Sequence, residues 1–368
     1  MKRVLLLGAG KIGRMITCLL SNTKDYEVTV ADASDAALQQ IDEWFGVDTR
    51  KVDASSGDDL RALLQDQEIV ISALSFSFNP TVAAAAADTG TSYFDLTEDV
   101  ETTRQVRGVA ERAGDGQIFM PQCGLAPGFI SIVANHLSRD FDALERVHMR
   151  VGALPQFPSN QMKYNLTWST DGLINEYCNP CEAIHEGQLI DVLPLEGMEH
   201  FSLDGVRYEA FNTSGGLGTL CESFAGRVQE LNYKTIRYMG HRDLAALLVN
   251  ELKLNNRRDL LKDILEHAIP ITYQDVVIVF CTVSGQRDGR LVQVSDARKI
   301  YHHELHNRHW GAIQLTTAAG ICAVIDLFRE EKLPQSGFVR QEDVVFQDFI
   351  SNRFGRIYDS GVKTDFGV

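Results

Sequence analysis

The sequence predicts a two-domain α/β protein: an N-terminal doubly wound parallel sheet, a second α+β domain, and a C-terminal helix that returns to the first domain. Three observations carry this. An apolar run, Val4 to Leu7, enters the glycine pattern Gly8-Ala9-Gly10-Lys11-Ile12-Gly13 and continues as an apolar helical stretch, Met15 to Leu20. Strand-like and helix-like segments then alternate as far as about Leu137. Beyond that point the pattern changes to strand-like segments punctuated by the turn pairs Glu186-Gly187, Asp204-Gly205 and Asp288-Gly289.

The elements follow in order. Glu27 to Ala31 reads as the second strand, and Ser34 as the cap of a helix from Asp35 to Phe45. Arg50 to Val52 is a short strand before Asp53, and Ser56 caps a helix through Leu64. Glu68 to Leu74 is a strand, and Asn79-Pro80 reads as a cap with proline at the first helical position. Tyr93 to Leu96 and Gln117 to Pro121 are strands either side of a helix from Glu101 to Arg112. In the second domain, strands are expected at Arg146 to Val151, within Gly187 to Phe211, and in a hairpin of Gln274 to Ser284 with Arg290 to Val294. Helices are expected at Leu244 to Leu252 and Leu260 to His267. The small, apolar stretch Gly311 to Leu327 has helical periodicity. Domain bounds are expected at residues 1–125, 126–308 and 309–368.

The chain has 368 residues, 44% hydrophobic and 23% charged, ordinary for a globular protein. With 35 Lys and Arg against 50 Asp and Glu, its net charge of −15 argues against nucleic-acid or anionic-lipid partners. No run of eighteen uninterrupted apolar residues occurs, so no membrane span is expected. Met1 leads directly into a strand, which suggests no signal or transit segment. Seven cysteines do not suggest a disulfide framework, and a cytoplasmic location is expected.

Strand, glycine turn and helix N-terminus together suit a dinucleotide pyrophosphate in a Rossmann domain. Gly8 permits the tight turn, Gly10 lets backbone approach phosphate, and Gly13 lets helix and strand pack closely. Lys11 and Ile12 complete the loop. Asp32, at the end of the second strand, would accept hydrogen bonds from the ribose 2′-OH and repel a 2′-phosphate, so the expected cofactor is NAD. Ligands of such sheets sit at the carboxyl ends of the strands. Those ends offer Asp53-Ala54 for the adenine edge, Ser72-Ala73-Leu74 for the nicotinamide ribose, then Asp95, and Cys123-Gly124.

Three groups in the second domain suit a small polar ligand. Lys163 to Ser169, read as a short strand, includes Thr167 and Trp168 as substrate contacts. Asn212 to Leu220 holds Gly215, Gly216 and Gly218 near hydroxyls, reading as exposed amides at a helix start, with Asn212 and Gly216 as contacts. Arg237 to His241 offers a bidentate carboxylate ligand and a proton-exchanging imidazole. Lys163 and His241 are proton-transfer candidates, with Asp95 a third. Metal binding is not expected: Cys178 and Cys181 form one C-x-x-C without a second pair. His302, His303, His306 and His309, at helical spacing, read as a solvated face. Cys123 reads as a thiol near the site.

Together with the glycine loop, the segments Lys51 to Ser55, Gly124 to Gly128, Lys163 to Ser169, Leu173 to Tyr177 and Arg237 to His241 resemble the saccharopine dehydrogenase family, most of all its short lysine 6-dehydrogenase-like branch. The resemblance runs from residue 1 to about 330. It implies a Rossmann domain, a substrate-holding α+β domain, and NAD(P)-linked oxidation at a carbon–nitrogen bond of a lysine derivative. One departure is Ala126, where fungal and animal saccharopine enzymes carry an acid in the G-L-x-P-G segment. The expected substrate is an amino acid, saccharopine ahead of lysine. Saccharopine's three carboxylates need more cations, and Arg150, Lys163, Arg207, Arg227, Lys234 and Arg237 are available. A polyamine-forming, carboxynorspermidine-type reductase would prefer NADPH, which Asp32 disfavours. A non-catalytic NAD-binding sensor would not need the polar groups of the second domain. A homodimer is expected from the open face of an α+β sheet.

Overall fold

The computed structural model describes residues 1–359. The chain divides into two compact units, one of residues 1–129 with those from Thr316 on, the other of residues 130–315.

The first unit is a parallel sheet. Its strands are β1 (Lys2–Leu7), β2 (Tyr26–Asp32), β3 (Asp48–Lys51), β4 (Ile69–Ser72), β5 (Ser92–Asp95) and β6 (Ile118–Met120). The spatial order is β6-β5-β4-β1-β2-β3, with the short strand Gly337–Phe338 added beside β6. The order reverses between β1 and β4, and ligands of open α/β sheets bind at such a switch point. Leu5 to Leu7, Val70 and Ile71 are fully buried, as strands covered on both faces require. Helix α1 (Lys11–Ser21) starts directly after the glycine turn.

Two helix starts follow the sequence, with the Ser34 and Ser56 side chains accepting from the amides of Ala37 and Asp59. The third differs. Asn79 is itself helical, Phe78 precedes it as the cap residue, and Asn79 Oδ1 instead accepts from Ser72 Oγ at 2.7 Å.

The helix Ala312–Arg329 runs from one unit into the other. By length and composition alone it could cross a membrane, but 78% of it is buried inside the protein. Its apolarity serves a core. Within the first unit, Asp326 near its end accepts hydrogen bonds from Tyr26, Asn352 and Arg353, tying β2 to the C-terminal segment.

The second unit carries a mixed sheet of β7 (Ala143–Pro155), β8 (Cys181–His185), β9 (Gln188–Val192), β10 (Glu199–Leu203), β11 (Val206–Asn212), β12 (Val228–Tyr238), β13 (Asp275–Arg287) and β14 (Arg290–Tyr301). The main order is β10-β11-β12-β7-β13-β14. Only the β12–β7 pairing is parallel among these. The turns Glu186-Gly187, Asp204-Gly205 and Asp288-Gly289 have positive φ at both residues, the geometry that matches strand twist in two-residue hairpins. On β12, side chains alternate between faces. Tyr233, Thr235 and Arg237 share one face, and Lys234, Ile236 and Tyr238 share the other. Phe211, Tyr177, Tyr164 and Leu173 form an apolar cluster together with Val249, Leu261 and Leu265.

Two local expectations fail for identifiable reasons. Lys163 to Ser169 is irregular rather than a strand, because Lys163 takes a left-handed φ of 50° and the Asn160 side chain holds the Tyr164 backbone. The histidine run is a hairpin, His303–Leu305 with Arg308–Trp310, turned by positive φ at His306 and Asn307. His302 and His306 therefore share no helix face. Among the described residues no His, Cys, Asp and Glu cluster could hold a metal ion.

Candidate functional site

The glycine turn of the first unit is built as a phosphate cradle needs. Gly8 has φ of 104°, and an added Cβ would lie 2.7 Å from Ala73 O. A Cβ on Gly13 would lie 1.9 Å from Gly8 O, so only glycine lets α1 start this close to β1. At Gly10 a Cβ would meet nothing within 4 Å, leaving room beside the amides of the helix start. That open approach, with the helix dipole behind it, fits a pyrophosphate. Asp32 is fixed by two backbone amides, from Ala9 at 2.7 Å and Ser34 at 2.8 Å, one on each carboxylate oxygen. Each oxygen keeps a lone pair for a hydroxyl.

The other strand ends are mostly structural. Asp53 is exposed and accepts from the amide and hydroxyl of Ser55, which hold its carboxyl below the usual range. Ala54 is packed in the core, and Ala73 and Leu74 are half-buried. Asp95 is fully buried and accepts from Tyr93 OH, Thr97 N and Gln122 N. Burial pushes its pKa up to about 6 against those three donors. It clasps the turn at Gln122, whose φ is 65°, and is closed to a substrate proton. Cys123 is not an exposed thiol. Its sulfur is buried against Met120 O and Gln341, and burial pushes its pKa well up. Gly124 packs against the helix Ala312–Arg329 at Gly320, where a Cβ would lie 2.8 Å from Gly124 O.

In the second unit, Arg237 is the centre of a polar relay. Its guanidinium is 3% exposed, donates to Tyr177 OH at 2.9 Å and Ile236 O at 2.9 Å, and lies 4.0 Å from Glu176. It also stacks over Tyr164, 4.9 Å from the ring centre. Burial opposes its charge, but the oxygens of Tyr177, Tyr164 and Glu176 hold it protonated. Tyr177 OH meets His241 Nε2 at 2.9 Å, and His241 Nδ1 meets Met162 O at 2.8 Å. A carbonyl only accepts, so Nδ1 carries the proton and Nε2 accepts from Tyr177. Glu209 accepts from the amides of Gly240 and Arg242 and so fixes the turn that presents His241.

Burial, then the Arg237 charge, push the His241 pKa down to about 3. An apolar cavity of about 20 Å³, bounded by Leu173, Val249, Leu261 and Leu265, lies against the ring. With both nitrogens committed, His241 orients Tyr177 and does not fit the proton-transfer role expected of it. In an NMR pH titration its ring signals should stay constant from pH 8 to 5. The unfolded chain binds a proton here that the folded chain refuses, so stability is full above roughly pH 6.5 and falls as pH drops toward 3. His241→Gln should flatten that acid limb, and a ring that titrates near neutrality would refute the locked tautomer.

The remaining expected contacts are placed as follows. Lys163 Nζ donates to Met239 O at 2.9 Å. Trp168 Nε1 donates to Tyr164 OH. Thr167 is buried, and its Oγ1 has no hydrogen-bond partner. Asn212 is spent on the neighbouring loop through Leu193 O. Gly216 lies against the Tyr233 ring, where a Cβ would come within 2.3 Å. The helix after it, Leu220–Phe224, has only five residues, and the Gly218 amide turns back to Gly215 O, so no exposed anion site forms. Arg150 and Lys234 both bind Glu199 on the sheet face opposite Arg237. Tyr164, Glu176 and Tyr177 lie in segments that carried the resemblance but were given no role there, and Glu209 was not singled out, since nothing local marks an aromatic or acid as a partner of a distant arginine.

Comparison with known proteins adds the following. Residues 4–120 match the family described as the saccharopine dehydrogenase NADP binding domain, and residues 124–357 the saccharopine dehydrogenase C-terminal domain. The chain is 25% identical over 198 residues to mitochondrial alpha-aminoadipic semialdehyde synthase of Rattus norvegicus, covering 52% of this chain and 21% of that protein. It is 26% identical over 200 residues to saccharopine dehydrogenase (NADP+, L-glutamate-forming) of Saccharomyces cerevisiae, covering 51% of this chain and 43% of that one. The aligned region thus spans less than half of either relative. The solved apo saccharopine dehydrogenase (L-Glu forming) from Saccharomyces cerevisiae superposes with a TM-score of 0.79 at 17% identity, covering 95% of this chain and 96% of that one. At that identity the likeness is one of fold.

Proposed function

Because the chain belongs to the saccharopine dehydrogenase family, we propose that it is an NAD-dependent oxidoreductase acting on a carbon–nitrogen bond in lysine metabolism, with saccharopine as substrate. The reaction is saccharopine + NAD+ + water to glutamate + 2-aminoadipate 6-semialdehyde + NADH + H+. The observation that carries it is the buried, charged Arg237, held on one edge by Tyr177 OH and Ile236 O. A guanidinium so placed is suited to a substrate carboxylate.

Gly8, Gly10 and Gly13 would hold the pyrophosphate of a dinucleotide and Asp32 its ribose hydroxyls, and the bound group would supply a hydride acceptor for the carbon beside the substrate nitrogen. Arg237 orients the substrate, and Tyr177 and His241 fix the guanidinium plane. Loss of hydride leaves an iminium, water adds to its carbon as a proton is released, and collapse of the carbinolamine gives glutamate and the semialdehyde. Lys163 remains the candidate to carry the proton, its Nζ resting on Met239 O.

NAD over NADP is supported by the surroundings of Asp32. Its carboxylate would repel a 2′-phosphate, and Lys51, opposite it in the sheet register, is paired with Asp35 at 2.6 Å. The test is NAD+ and NADP+ reduction, followed spectrophotometrically with saccharopine, lysine and other amino acids. NAD+ with saccharopine should give the highest kcat/KM. Asp32→Ala should lower the NAD+ to NADP+ ratio of kcat/KM by about tenfold or more, the loss of one or two charge-assisted bonds. An unchanged ratio would place cofactor choice elsewhere.

Lysine, oxidatively deaminated to the same semialdehyde, is a second reading favoured by one observation. The cations thought to serve a three-carboxylate substrate are partly neutralised, Arg150 and Lys234 by Glu199. A pocket with fewer free cations suits a substrate with one carboxylate.

A further inference from the structure

Asn165 and Thr167 sit in the irregular segment before the helix Thr170–Cys178, and both are buried. Their neighbours Tyr164 and Leu166 belong to the apolar cluster with Leu173, Tyr177 and Phe211. Other polar groups of the same segment are satisfied: Asn160 binds the Tyr164 backbone, Trp168 binds Tyr164 OH, and Leu166 N donates to Pro270 O. Asn165 Oδ1 and Thr167 Oγ1 are closed to solvent without any partner. Buried polar atoms are nearly always paired, so each exception needs a cause. Two exceptions on alternate residues, either side of a core leucine, point to one cause.

We propose that Asn165 and Thr167 together receive the primary α-ammonium of the substrate amino acid, a group distinct from the reacting nitrogen. The inference rests on the amino-acid reading above and deepens it. An ammonium offers three donors and no acceptor, the complement of two partnerless oxygens. A carboxylate would set its lone pairs against Asn165 Oδ1. The carboxylate ligand is close in the chain: Arg237 stacks over Tyr164, the residue before Asn165. One short segment thereby pairs an ammonium site with a carboxylate site. Saccharopine and lysine both carry this ammonium, so the inference holds for either substrate.

The test uses the full chain with its dinucleotide, titrated calorimetrically with saccharopine and with the analogue in which 6-aminohexanoate replaces the lysyl part, which lacks only the α-ammonium. The wild type should favour saccharopine by about tenfold or more, the value of one charge-assisted contact. Thr167→Val and Asn165→Leu should each lose most of that preference while binding the analogue as before. Asn165→Asp should keep it. Melting temperatures should hold or rise in Thr167→Val, since a methyl replaces an unpaired hydroxyl. Equal binding of the two ligands to the wild type, a preference unchanged in both apolar variants, or its loss in Asn165→Asp would each overturn the ammonium site. Lower melting temperatures in both apolar variants would do the same, by showing the atoms to be structurally engaged. No binding of saccharopine or lysine to the wild type would remove the substrate reading, and this inference with it.

Discussion

Gly13→Ala should abolish dinucleotide binding and lower the melting temperature, whereas Gly10→Ala should abolish binding and leave stability nearly unchanged. The two glycines stand three residues apart in one turn, but a methyl meets different things. At Gly13 it would lie 1.9 Å from the carbonyl oxygen of Gly8. That carbonyl cannot yield, because Gly8 is held at φ 104° with Ala73 O behind it. The start of α1 must move away from β1, carrying with it the amides that would face the phosphates. At Gly10 the methyl meets nothing within 4 Å of the ligand-free chain and takes only the space a phosphate needs. Loss of dinucleotide affinity should exceed about a hundredfold in both, roughly 3 kcal/mol or more. Overpacking against rigid backbone should cost Gly13→Ala about 1–3 kcal/mol of stability besides. Calorimetric titration with NAD+ and NADP+, with thermal unfolding of each variant, reads both. Two variants that bind either dinucleotide like the wild type would remove the cradle from this turn.

That contrast also shows what a sequence makes legible. The cradle is contiguous: strand, glycines, helix and Asp32 lie within the first 32 residues, so local spacing already specifies the geometry. The parallel sheet was legible for the same reason, its strands other than the exposed, charged β3 being short apolar runs that end at a polar turn. Burial was not. Asp95 and Cys123 stand at strand ends where ligands bind, but one clasps a turn and the other is sealed by Gln341, 218 residues away in sequence. Alternating polarity in Lys163 to Ser169 mimicked a strand, and one left-handed residue, Lys163, broke it. Helical spacing of the histidines was overruled by two left-handed residues, His306 and Asn307. Arg237 was legible as a residue but not as a relay. Its partners Tyr177 and Glu176 lie about sixty residues earlier, and nothing short of the β12 register sets them beside it.

Arg237→Ala should raise KM for the amino-acid substrate by at least about tenfold and also destabilise the second unit, and the two effects can be separated. The side chain is 3% exposed and Glu176 is itself buried, so removing the cation takes the Arg237 charge away from a buried carboxylate. Breaking a buried pair from one side costs about 3–5 kcal/mol, a fall of roughly 10 °C in Tm for a unit of this size. Arg237→Lys keeps the charge but loses the planar fork that reaches Tyr177, so it should recover part of the stability and little of the KM. The decisive variant is Arg237→Met with Glu176→Gln, which removes both charges. Replacing a buried ion pair by neutral groups of like size is often close to neutral, so its Tm should return toward the wild type. If Arg237 serves only to neutralise Glu176, KM should return as well. If the guanidinium grips a substrate carboxylate, KM stays high in a well-folded protein, because no remaining group in the relay offers two parallel donors. Arg237 donates to Tyr177, and Tyr177 donates on to His241, so the chain of bonds presents to a ligand one charge and one plane. A double variant with wild-type KM would transfer the carboxylate to another cation and leave Arg237 as a core residue.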